Sequence, residues 1–301
     1  MRRPVLWIGL VGMAACGEGV PQSTAQSQSA LSTAGVTNVV SRRGLAHSKI
    51  QTGNGLQYNG GPVMHGRVSA YYIWYGSWAG NTAHDILTDM ISNFGGSPNY
   101  NIDTTYADAQ GAIRNAIRFG GSAHDNYSRG AALGDNDIGL IAQAHAGVDL
   151  PYDTNGVYFV LTSADVTENT GFCTVYCAWH GWQTIPTTGD LKVAFVGNPD
   201  QCPYQCAWEW LLPTPNNNVG ADGMVDSIAH EFEESTSDPE GQSWVNPDGT
   251  ENADMCAYTY GTTFNLANGS FANMRLGGRP YLIQRNWVNR KGGYCSQSWD
   301  D

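Results

Sequence analysis

The sequence predicts an α/β (α+β) protein, a single domain built on a mixed sheet covered by helices. Three observations lead there. Stretches 67–75, 156–162 and 192–196 are dense in β-branched and aromatic residues and read as strands. Helical periodicity at 83–94 and 135–146 is interleaved with them, and strand–helix alternation places helices on the faces of a sheet. A third stretch, 222–238, combines an apolar helix pattern with metal-ligand spacing and reads as the functional helix packed on that sheet. A last strand is expected at 279–287.

In chain order, Met1-Arg2-Arg3 and an apolar run from Val5 to Ala15 form a leader, so residues 1–15 are expected to be a secretory signal. Ala14-Ala15-Cys16 has the look of a lipobox, which would leave Cys16 lipidated and the protein tethered to a membrane by its lipid alone. Ordinary signal cleavage is the alternative. Residues 16–61 are rich in Ser, Gln, Thr and Gly and read as a disordered spacer, because they offer too little apolar surface to bury. The globular domain is placed at 62–301. Without Arg2 and Arg3 the balance is 13 basic against 27 acidic residues, a net charge of −14, which argues against nucleic acid as a partner and favours cations.

Met224, Val225, Ile228, Ala229 and Phe232 give 222–238 its helical face, with Asp222 as the expected N-cap and Pro239 beyond the end. On such a helix His230 and Glu234 share a face, one turn apart, and Glu231 lies beside them. This is H-E-x-x-H with a carboxylate as second ligand, the basis for expecting a zincin-like site. Asp254, 20 residues beyond Glu234, has the separation of a third ligand in thermolysin-type zinc peptidases; Glu251 and Asp238 stand in reserve. Zinc is the expected cofactor, with calcium or no metal as alternatives. Against this stands a plainer reading, in which Glu231, Glu233, Glu234 and Asp238 are a solvated acidic helix face.

Six cysteines follow Cys16: Cys173, Cys177, Cys202, Cys206, Cys256 and Cys295. An oxidising compartment favours disulfides over a four-thiolate zinc site, and a Cys256–Cys295 link is favoured because it would pin the third-ligand segment to the C-terminal strand. The segments around Trp179, His180 and Trp182, and around Trp208 and Trp210, read as aromatic loops. They are candidate substrate contacts, with His180, Trp179 and Trp208 foremost, or else a satellite core beside the disulfides.

Leu161-Thr-Ser-Ala-Asp-Val166, Gly171-Phe-Cys173, Cys177-Ala-Trp-His180, Val196-Gly-Asn198, Gln201-Cys-Pro203, Gln205-Cys-Ala-Trp208, Pro215-Asn-Asn-Asn-Val-Gly220 and Asp222-Gly-Met-Val225 follow one another in an order that resembles the plant EXORDIUM or phosphate-induced protein 1 family, in a bacterial-looking version. The resemblance covers about 62–296. It implies a secreted or cell-wall protein and brings no established reaction. It also implies that His230-Glu231-x-x-Glu234, Asp238-Pro239 and Glu251-x-Ala-Asp254-x-Cys256 are family patterns, all present here. The leading expectation is a surface-tethered zinc-dependent peptidase in which His230, Glu234 and Asp254 hold the metal and Glu231 moves the proton. The alternative is a non-catalytic extracellular protein that binds a cell-wall glycan or another surface partner.

Overall fold

The computed structural model describes residues 38–42, 55–185, 188–207, 213–290 and 292–300. The leader at 1–15, Cys16 and Trp208 lie outside them. The central sheet has six strands: β1 (Asn38–Arg42), β2 (Val68–Tyr75), β3 (Ile117–Asp125), β4 (Gly156–Thr162), β5 (Ala178–Ile185) and β6 (Gly189–Val196). Their spatial order is β1-β5-β6-β4-β2-β3. β6, β4, β2 and β3 run parallel, β5 is antiparallel to β6, and β1 is antiparallel to β5.

β2 and β4 are buried along their whole length, which is why they read as continuous apolar runs and not as alternating ones. Alternation still decides which layer each side chain joins. Tyr72 and Trp74 face the helices α1 (Ala83–Phe94) and α3 (Val219–Ser237), together with Phe159 of β4 and Val196 of β6. Tyr71 and Ile73 face the opposite way, toward α2 (Asp135–His145), together with Tyr158 and Phe195. The result is a helix–sheet–helix stack with one apolar core on each side.

Four differences from the sequence reading have local physical causes. β3 was not expected, because Gly120 and Gly121 dilute its apolar content; here Gly120 is needed, since a Cβ there would come within 2.3 Å of the Tyr71 ring. β5 was read as an aromatic loop, yet its residues pair along their full length with β6. The expected strand at 279–287 is instead two short pieces in separate hairpins, Arg279–Tyr281 with Met274–Leu276 and Asn286–Val288 with Tyr294–Ser296, outside the central sheet. Within the expected spacer, Asn38–Arg42 is a sheet strand, in keeping with its Val39-Val40 pair.

α3 begins one turn earlier than expected. Asn218, not Asp222, is its N-cap, the side chain accepting from the Ala221 N–H at 3.0 Å. Asp222 sits in the first turn, where a carboxylate complements the helix dipole, and accepts from the Asn216 N–H at 2.8 Å. Among the described residues no helix is long and apolar enough to cross a membrane.

Candidate metal centre

Three elements converge on the C-terminal half of α3. The helix supplies His230, Glu231 and Glu234, exposed by 0%, 0% and 1% respectively. This excludes the solvated acidic face, because Glu233 and Asp238 are fully buried as well. The second element is the segment after α3. A turn in which the Asn246 and Thr250 backbones pair at 3.0 Å, with Gly249 at φ 84°, sends the chain back over the helix and delivers Glu251 and Asp254. The Cys256–Cys295 disulfide ties the end of that segment to the C-terminal hairpin. The third element is β5, whose alternation turns His180 toward α3.

His230 Nε2 lies 3.0 Å from Glu234 Oε1 and 3.4 Å from Asp254 Oδ1. His180 Nε2 lies 3.0 Å from Glu251 Oε2 and 3.6 Å from Glu234 Oε2. The Asp254 N–H donates to Glu234 Oε1 at 3.1 Å, and the Glu251 N–H to Asp254 Oδ2 at 3.2 Å, so the returning segment is anchored to the helix through the same carboxylates. Potential ligand atoms of His230, Glu234 and Asp254 all fall within 4.8 Å of one another, as do those of His180, Glu231 and Glu234. Glu234 belongs to both sets. The expected trio is therefore adjacent, while Glu251 is engaged with His180. Asp238 is turned to the loop after the helix, where its Oδ1 accepts from the Gln242 and Ser243 N–H groups, each at 2.7 Å.

The electrostatics of this cluster are those of charges taken out of water. Burial alone would lower the His180 imidazole, but the charges of Glu251, Glu234 and Glu231 and the hydrogen bond to Glu251 outweigh it and push it up to about 10. Burial likewise opposes the charged form of His230, and Glu234 and Asp254 overcome it, leaving His230 well above its ordinary value. Burial drives Glu234 well above the carboxylate range, with the charge of Asp254 adding to the effect. Burial, then the charge of Glu251, lifts Asp238 to about 7. Each group is thus displaced toward holding a proton. Two imidazoles face four carboxyls in Glu231, Glu234, Glu251 and Asp254, an excess of negative charge that protons or a bound cation must offset.

The donors fit a borderline metal. His230 Nε2 is paired with Glu234 and Asp254, whereas its Nδ1 makes no hydrogen bond among the described residues, although the side chain is fully enclosed. Two imidazoles with carboxylates suit zinc and its transition-metal neighbours, whereas calcium calls for an all-oxygen shell.

The other site expectations fare differently. Trp179 is 3% exposed and packs in the α2-side core, its ring 6.1 Å from that of Phe195. Being next to His180 on a strand, it must point the opposite way, so it is a core residue and not a substrate contact. His180 belongs to the buried cluster and offers no surface. Cys173 is joined to Cys202 and Cys177 to Cys206, so none of these four cysteines is a thiolate ligand. A feature not expected from sequence is the fully buried pair of Asp103 and Glu233. Asp103 accepts from Thr236 Oγ1 at 2.8 Å and Asn286 Nδ2 at 2.8 Å, and burial holds both carboxyls well above their usual range. The absence of any Lys or Arg between 223 and 274 was the available signal, since carboxyls buried without cations must share protons.

Residues 56–287 match the phosphate-induced protein 1 conserved region. The chain belongs to the EXORDIUM and phosphate-induced protein 1 family. EXORDIUM-like 5 of Arabidopsis thaliana is 31% identical over 272 residues, covering 77% of this chain and 75% of that protein. EXORDIUM-like 3 of the same plant is 30% identical over 280 residues, with 80% and 82% covered. PHOSPHATE-INDUCED 1 of Nicotiana tabacum is 28% identical over 216 residues, with 63% and 66% covered. No solved structure matches the chain. The family match spans all three converging elements of the centre, and the three disulfides among the described residues are those of a protein matured in an oxidising, extracytoplasmic compartment.

Proposed function

We propose that this EXORDIUM-family chain is a non-catalytic extracellular binding protein whose buried His–carboxylate centre holds a divalent transition-metal ion, zinc by donor chemistry, as a structural element. The observation that carries this reading is burial: His230, Glu231, Glu234 and Glu251 are exposed by no more than 1%, and Asp254, with 16% of its side chain exposed, is the one residue of the proposed ligand set that reaches solvent. Structural metal sites are closed by protein ligands, whereas catalytic ones keep a position open to substrate. His230, Glu234 and Asp254 would hold the ion, with His180 and Glu251 beside them. It would lock the segment 246–256 against α3 and β5, fixing the shape that a surface partner meets. A lipid on Cys16 would keep that surface at the cell envelope. Peptide, protein and cell-wall glycan are the partner classes open to such a protein.

A second reading, a zinc-dependent peptidase, is favoured by one observation: Glu231 shares a 4.8 Å cluster with His180 and Glu234. A zinc ion held by His230, Glu234 and Asp254 would supply a Lewis acid for peptide hydrolysis, and Glu231, beside that set, would carry the proton. Glu231→Gln separates the two. On the binding reading, neither wild type nor variant cleaves a mixture of denatured proteins, and both keep the same metal content. Cleavage by wild type that disappears in Glu231→Gln would replace the binding reading with the peptidase.

A further inference from the structure

We infer that the outer edge of β5 is a docking edge for an extended peptide, and that residues 38–42 are its resident, displaceable occupant. This deepens the binding reading by naming the partner class, and it rests on that reading. β1 pairs antiparallel with β5 through Asn38↔Gln183, Val39↔Trp182, Val40↔Gly181, Ser41↔His180 and Arg42↔Trp179. The opposite side of β5 is bonded to β6, so among the described residues β1 alone caps this edge of the sheet. Without it, β5 would present a row of unpaired N–H and C=O groups over five residues, a template that accepts any extended backbone.

One feature of the sequence marks β1 as replaceable. Arg42 and Arg43 form a dibasic step at the end of the strand, in a chain with 27 acidic residues, so a trypsin-like cut there would release β1 from the domain covalently. The edge also lies beside the buried centre, because His180, within the paired stretch, reaches Glu251 at 3.0 Å. Gly181, opposite Val40, puts no side chain in the way of whatever residue an incoming strand carries there. Recognition would therefore rest mainly on backbone pairing, with low sequence selectivity at that position.

The test uses the full secreted chain and a fluorescein-labelled peptide spanning residues 36–46. Val39→Pro/Val40→Pro removes N–H groups of both parities from β1 and frees the edge. Fluorescence anisotropy should show the variant binding the peptide at least about tenfold tighter than wild type, whose own strand competes at an effective concentration of about millimolar. Peptides N-methylated at Val39 or at Val40 should differ sharply, one tolerated and one inactive, because antiparallel pairing directs alternate N–H groups at the partner. Equal binding by the two chains, or equal tolerance of both N-methyl peptides, would overturn the proposal. So would a wild-type dimer that dissociates in the proline variant, which would make β1 a strand exchanged between copies. Metal content measured on the same samples keeps the two ideas apart: peptide binding without metal leaves this inference standing and refutes the structural centre.

Discussion

Removing the Cys256–Cys295 disulfide should do two things that removing Cys173–Cys202 does not do together. The bond closes a loop of 39 residues by sequence separation, against 29 for Cys173–Cys202. Loop-closure entropy assigns them about 3.9 and about 3.6 kcal/mol respectively at 25 °C, so on entropy alone the two deletions are nearly equivalent. For a domain of this size either loss should lower Tm by roughly 8–15 °C. Their positions differ. Cys256 ends the short helix Asp254–Cys256, and the Asp254 N–H and carboxylate both face α3, so cutting this bond loosens the ligand segment itself. Cys256→Ser/Cys295→Ser should therefore lose stability and also bind zinc at least about tenfold more weakly, the scale of a disturbed ligand shell. Cys173→Ser/Cys202→Ser should lose comparable stability with zinc affinity intact. Thermal unfolding and competition titration with a zinc chelator measure both. Equal weakening of zinc affinity by the two double variants would refute the claim that the 246–256 segment belongs to the centre.

Further outcomes follow from the same geometry. The chelated protein should lose stability as pH rises from about 7 to 10: His180 is raised from 6.5 to about 10 in the folded chain, so its contribution is complete below 6.5 and is lost through the folded value. Glu234, also raised, acts in the same sense, since its charged form is the disfavoured one in the folded state. Zinc affinity should run the other way, increasing with pH, with protons released on binding and detected by calorimetry in buffers of different ionisation enthalpy. A Tm of the chelated protein that rises over this range would contradict the buried-charge account. Phe232→Ala removes a fully buried ring lying 5.6 Å from Tyr100 and 6.2 Å from Phe159. It should cost about 3–5 kcal/mol in denaturant unfolding, and a loss below about 1 kcal/mol would mean that α3 does not pack on the sheet at that point.

What the sequence made legible was periodic or local. β2, β4 and β6 are long apolar runs, and His230 and Glu234 are one helical turn apart, so their neighbourhood follows from helix geometry. Asp254 could be placed only through a known ligand separation, and the returning turn at Asn246–Thr250 gives it that position. The partnership of His180 with Glu251 spans 71 residues and depends on β5 being a strand, which no local pattern announced. The same misreading of β5 grouped Trp179 with His180, although consecutive strand residues face opposite cores. β1 was hidden for a different reason: five residues of modest apolar content are stabilised by the edge they complete, and that edge is a tertiary feature.

The most direct test of the central claim is elemental analysis of the full secreted chain by inductively coupled plasma mass spectrometry, wild type beside His230→Ala and Trp179→Phe. One zinc per chain is expected in wild type and in Trp179→Phe, and none in His230→Ala. Wild type without bound metal after zinc reconstitution, or His230→Ala with its zinc retained, would contradict it.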